Sequence, residues 1–121
     1  MTNGGPSDQT LQQLQGKTLA QLQALRATLA STNWRIQMLS ASAEERQQDS
    51  DLRILCDARI AQLENVQFSQ IRDQMVANET ELNQATDEMA DALNDIDDVG
   101  KVLTTATTFL KVVAKVMAFV V

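Results

Sequence analysis

Apolar side chains recur along this chain at helical intervals almost from end to end. Leu11, Leu14, Leu22, Leu25, Leu29, Ile36 and Leu39 fall on one face of a helix whose other face is rich in Gln, with Thr18 and Thr32 filling seven-residue steps between them. Ser7 or Asp8 suits an N-cap, so the pattern predicts a first amphipathic helix over 8–39. Residues 40–51 hold no large apolar side chain and therefore no face that burial could fix, which predicts a turn there. Ser42 with Glu45 fits a capping box, and Asp49, Ser50 or Asp51 could equally cap a new helix. Because the stretch has neither Gly nor Pro, one uninterrupted helix is the alternative.

A stricter pattern begins at Ile54 and returns at every seventh residue through Ala61, Phe68, Met75, Leu82, Met89, Ile96, Leu103, Leu110 and Met117, all of them apolar. Paired three residues on are Ile71, Asn78, Ala85, Ala92, Val99, Ala106 and Val113. This spacing predicts a long heptad helix over 52–98. Its oligomer seam would consist of Phe68, Ile71, Met75, Asn78, Leu82, Met89, Ile96, Val99 and Leu103, with Asn78 as a polar register-setting member. A seven-residue step drifts by about 20° per heptad on a straight helix, so a seam held this long implies left-handed supercoiling around a partner. Upstream of Phe68 the matching positions are Asp57 and Glu64, and Leu52, Leu55, Ile60, Leu63 and Val66 spread apolar groups over several faces. The 8–39 helix would cover that coat if the chain folds back. The expected fold class is therefore all-α, an extended helical hairpin or coiled coil. At about 1.5 Å per residue its longer arm reaches about 70 Å and overhangs a first arm of about 45 Å.

Gly4, Gly5 and Pro6 predict a flexible leader over 1–7. At the other end, residues 99–121 predict an apolar amphipathic tail helix. Asp97 or Asp98 suits its cap, while Leu103, Leu110 and Met117 stay in phase with Ile96, so a helix continuous through Gly100 is the alternative. Ten of the last twenty residues are Val, Leu or Phe, long enough by count to cross a bilayer. Those ten contribute roughly 3 to 6 kcal/mol toward insertion, while a central Lys such as Lys111 costs about 2.5 to 3.5 kcal/mol, with Lys115 one turn on, so a simple span is disfavoured. At the helical period Lys101, Thr104, Thr107, Thr108, Lys111 and Lys115 share one arc, and Phe109, Leu110, Val113, Val116, Met117 and Val120 lie opposite. That apolar face could dock on a membrane surface, dock on neighbouring subunits, or line an oligomeric pore with Lys and Thr inward.

Composition narrows the chemistry. The chain has 121 residues, a net charge of −6, no His, no Tyr, one Cys and one Pro. Without His it lacks the commonest general base and metal ligand, and a lone Cys provides neither a disulfide framework nor a thiolate zinc site. No catalytic residue, metal site or cofactor is expected, and an enzyme is disfavoured. The charges divide unevenly: residues 1–60 are neutral overall, residues 61–100 carry −9 and the last 21 residues carry +3. No clustered Lys/Arg stripe of the kind a phosphate backbone requires is present, so nucleic acid is not an expected partner. The opening Met-Thr-Asn-Gly-Gly-Pro lacks a basic and then apolar leader, predicting cytoplasmic synthesis without a signal peptide. Asp95, Asp97 and Gly100 lack the later oxygen ligands of a calcium loop. Asp87, Asp91 and Asp95 read as a solvated acidic stripe, Cys56 as an inert thiol off the seam, and Trp34 as a core residue.

The run Val99-Gly100-Lys101-Val102-Leu103, preceded by an acidic coiled-coil pattern and followed by an apolar helix, resembles the small phage-encoded haemolysin XhlA-type and holin-accessory membrane proteins. The resemblance covers about the last 45 residues. Lys111 and Lys115 interrupt the apolar stretch where that family has a continuous span, and the 8–39 helix is additional. The resemblance implies a phage or prophage product acting as an oligomer at a membrane or in a virion, and it brings no catalytic residues. The resulting expectation is a non-enzymatic, self-assembling helical structural protein. Its partners would be further copies of itself or another helical subunit, with a possible membrane surface. The alternative is a component of a membrane-permeabilising helical toxin or lysis system.

Overall fold

The computed structural model describes residues 7–118, and every regular element in it is helical: α1 (Asp8–Leu29), α2 (Thr32–Leu39), α3 (Ala43–Asn65), α4 (Phe68–Ala92) and α5 (Val99–Val116). The chain is all-α, as its periodicity predicts. Each start has a local cause. Ser7 Oγ accepts from the Thr10 amide at 3.1 Å, and Ser31 Oγ from the Trp34 amide at 3.2 Å. Ser42 and Glu45 form a reciprocal capping box at 3.0 and 3.1 Å. Asp98 accepts from the Lys101 amide at 3.1 Å. All four of these capped amides lie in first turns that would otherwise leave them without a partner.

Boundaries differ from the periodicity in four places. The 8–39 helix is broken at Ala30 and Ser31, where the Ser31 hydroxyl donates to the Thr28 carbonyl at 2.7 Å while capping α2. The turn is confined to 40–42, because the capping box at Ser42 starts α3 directly and Asp49 is drawn into the interior instead of ending a loop. The 52–98 helix is interrupted at Val66 and Gln67, both extended with ψ of 142° and 143°, and α4 ends at Ala92. The last helix begins at Val99, immediately after its Asp98 cap, so the break falls just before Gly100. Most of the expected leader, residues 1–6, and the end of the expected tail, residues 119–121, lie outside the described residues, Val120 among them.

Four long helices form a bundle in which α1 packs on α3 and α4, and α5 packs on α3 and α4. Ion pairs set the directions. Asp8 meets Arg72 at 2.7 Å and Lys17 meets Asp87 at 2.6 Å, so α1 and α4 run the same way. Asp91 meets Lys101 at 3.4 Å and Glu81 meets Lys115 at 3.0 Å, so α4 and α5 run oppositely. Consequently α3 and α4, consecutive in sequence, stand across a diagonal of the bundle, joined by the two extended residues.

This architecture corrects the extended hairpin. Val66 and Gln67 turn the chain without Gly, Pro or a positive φ, so the apolar faces of α4 and α5 close on α1 and α3 of the same chain. The first helix is corrected too: Ile36 and Leu39, expected on its buried face, are 57% and 79% exposed on α2, whereas Trp34 and Met38 face inward. One core results, with Leu11, Leu22, Leu25, Leu29, Trp34 and Ile60 meeting the apolar faces of α4 and α5. Each such side chain contributes roughly 1.5 to 3 kcal/mol on leaving water.

Candidate interaction surface

The seam residues are placed inward. Ile71, Met75, Leu82, Met89 and Leu103 are buried in the core of their own chain, and Phe68, Ile96 and Val99 pack against its edge half-buried. Asn78 does not sit among them as a register-setting pair; its side-chain amide donates to the Gln74 carbonyl of its own helix at 2.8 Å. The docking face of the tail is likewise covered: Phe109, Leu110, Val113, Val116 and Met117 are all buried between α3 and α4, while Val120 is outside the described residues. The polar arc of that helix, Lys101, Thr104, Thr108, Lys111 and Lys115, faces solvent, with Thr107 at its edge. The amphipathic split read from α5 is thus present, and the bundle itself occupies the apolar side.

Two interior polar features anchor the fold. Asp49 on α3 is 2% exposed. It accepts from the Trp34 indole Nε1 at 2.8 Å and from Arg35 at 2.5 Å, with Arg53 Nε at 3.4 Å. This node fixes α2 to α3. Cys56 is buried and donates its thiol to the Leu22 carbonyl at 3.3 Å, joining α3 to α1. Burial, aided by the neighbouring Asp57, raises its thiol from the ordinary 9.0 to about 11, so it is protonated and unreactive at neutral pH. The acidic stripe is solvated and partly paired, Asp87 with Lys17 and Asp91 with Lys101.

The distinctive surface lies on the outer side of α3. Ile54 is 67% exposed and Leu55 41% exposed; Ala58 and Ala61 follow on the same side, also exposed. Beside them a shallow groove of about 110 Å³ runs between α3 and α5, lined by Leu52, Leu55, Arg59, Thr107, Leu110, Lys111 and Ala114. Seven of the ten Lys and Arg side chains make an ion pair within the chain. Of the three that make none among the described residues, Arg46, Arg59 and Lys111, two line this groove. Arg59 gives one N–H to Gln62 at 2.9 Å, and its buried Nε has no hydrogen-bond partner. Asp51, one turn above Leu55, is met among the described residues only by the Gln47 amide at 3.0 Å. The sequence pattern counts Ile54 as the first of the heptad positions and Leu55 as part of a coat that the 8–39 helix would cover, and so misses this face. The signal available in the sequence was the adjacent pair Ile54 and Leu55, with Ala58 and Ala61 continuing opposite the buried Leu52, Cys56, Ile60 and Leu63.

No family model, curated protein or solved structure matches the chain. Among the described residues no helix is long and apolar enough to cross a membrane, and no group of three or more acidic or Cys side chains is placed to hold a metal ion.

Proposed function

We propose that this chain is a non-enzymatic helical structural protein that assembles with further copies of itself. One observation supports the reading: Ile54 and Leu55 stand side by side in water beside an apolar groove, whereas the core takes in most of the other large apolar side chains, Ile36, Leu39 and Val76 excepted. An apolar patch rimmed by polar groups is the ordinary mark of a protein-binding surface. The assembling surface is therefore the outside of α3, in place of the heptad seam and the α5 face that the bundle already uses. A phage or prophage setting enters the proposal through the resemblance of Val99 to Leu103 alone. The test is the solution mass of the full chain across a concentration series by light scattering. Masses rising above the 13.3 kDa of one chain are expected, and a single-chain mass at every concentration would overturn the reading.

A further inference from the structure

We infer that two copies of the chain pair through the outer face of α3 in an antiparallel two-fold arrangement, setting Asp51 of each copy against Arg59 of the other. The inference rests on the self-assembly proposed above and names its surface. The face is self-complementary: an apolar centre of Ile54, Leu55 and Ala58 carries at one end the Asp51 carboxylate and at the other the Arg59 guanidinium, neither in an ion pair among the described residues. Leu55 is the midpoint between positions 51 and 59. A two-fold axis beside it sets position 51 of one helix level with position 59 of its mate, about 6 Å to either side at 1.5 Å per residue. Each charge then finds its opposite twice, as an isologous contact requires, and two-fold dimers are the commonest closed assembly.

The chemistry of Arg59 strengthens this choice. Its guanidinium is held by Gln62 through one nitrogen, leaving the buried Nε–H without an acceptor. A planar fork in that state suits a carboxylate taken by two parallel hydrogen bonds. Asp51 supplies one, since its only polar partner among the described residues is a neutral amide on its own helix. Lys111 stands across the groove on α5, which runs the same way as α3 with Gln48 meeting Thr107 at 3.3 Å, so its cation lies level with the middle of the face near Leu55. Ala58 and Ala61 are small enough to let two helices approach closely, where the side chains at the contact set the interaxial distance.

The test uses charge variants of the full chain, all at exposed or rim positions, followed by sedimentation and by circular dichroism as a check that each is folded. Asp51→Arg gives a face that is entirely basic, and Arg59→Glu with Lys111→Glu gives one that is entirely acidic. Each alone is expected to be monomeric, with self-affinity weakened at least tenfold. Mixed one to one they are expected to form a mixed dimer, and a chain carrying all three changes is expected to recover its homodimer. Folded variants that stay dimeric alone, or that fail to pair when mixed, overturn this interface while leaving self-assembly standing if the unaltered chain still associates. An unaltered chain that stays monomeric throughout overturns both.

Discussion

Trp34 gives its indole N–H to the carboxylate of Asp49 over 2.8 Å, and both side chains are withdrawn from water. The contact spans the short helix α2 and the start of α3, and it explains why the polar stretch 43–51 is helical. Its local sequence offers no apolar face, but one carboxylate pointing inward satisfies a buried indole and two guanidinium groups at once. Removing that carboxylate leaves a buried donor unmet, which costs about 1 to 3 kcal/mol, and breaking a buried ion pair costs somewhat more. Asp49→Ala should therefore lower stability by about 2 to 4 kcal/mol, and Trp34→Phe by about 1 to 3 kcal/mol. Urea unfolding followed by circular dichroism measures both, and a loss under about 0.5 kcal/mol for Asp49→Ala would show that the node is not structural.

Phe109 is fully buried between α3 and α4. Phe109→Ala should cost about 3 to 5 kcal/mol, whereas Thr104→Ala on the solvent side of the same helix should stay within about 0.5 kcal/mol. With its apolar side occupied, α5 has nothing to offer a bilayer until the bundle opens. Purified folded chain is accordingly expected to release no dye from anionic vesicles. Release at native pH would instead favour the permeabilising alternative.

Cys56 offers a pH test whose sign is fixed by its environment. The folded thiol titrates near 11 against an ordinary 9.0, so between those values the folded chain holds a proton that the unfolded chain has lost. Stability from this group is present in full below pH 9 and falls as pH rises toward 11. The stability difference between the native chain and Cys56→Ala should be flat below that window and shrink within it. Alkylation by iodoacetamide at neutral pH should likewise be slow in the folded chain and become fast on unfolding in urea.

Gly16 lies within α1, has no positive φ, and would meet nothing within 4 Å if it carried a Cβ. Gly16→Ala is expected to raise stability by about 0.5 to 1 kcal/mol, since it restricts the unfolded chain and improves helix propensity without a clash. A shift of the urea midpoint to higher concentration checks it, and a shift to lower concentration would mean that α1 needs the freedom of that glycine.

The sequence made the helices readable through particular residues. Leu11 to Leu29 marked the buried side of α1, Ser42 with Glu45 marked the start of α3, and Asp98 marked the start of α5. Two breaks were hidden. Ser31 ends one helix and caps the next with a single hydroxyl, and Val66 with Gln67 turn the chain in ordinary extended conformations that most residues adopt. Without Gly or Pro at either joint, the heptads from Ile54 to Met89 read as one rod. A repeat of apolar positions states that a stripe will be covered, but not whose helix covers it. The outer face of α3 was obscured for the same reason, because Leu55 counts with the coat that the first helix would cover, when the side covered there runs through Leu52, Cys56 and Ile60.

The diagonal joint at Val66 and Gln67 also divides the molecule into two locally built halves, α1 to α3 and α4 with α5. Each half reverses through a short connection, whereas the ties between halves join residues as far apart as Asp8 and Arg72, 64 positions along the chain. Loop closure over that span costs about 2 kcal/mol more than across a six-residue connection. The rate of folding should therefore be governed by the docking of one hairpin on the other. In hydrogen exchange, separation at this joint is the opening that would uncover the most core for the fewest broken helical bonds.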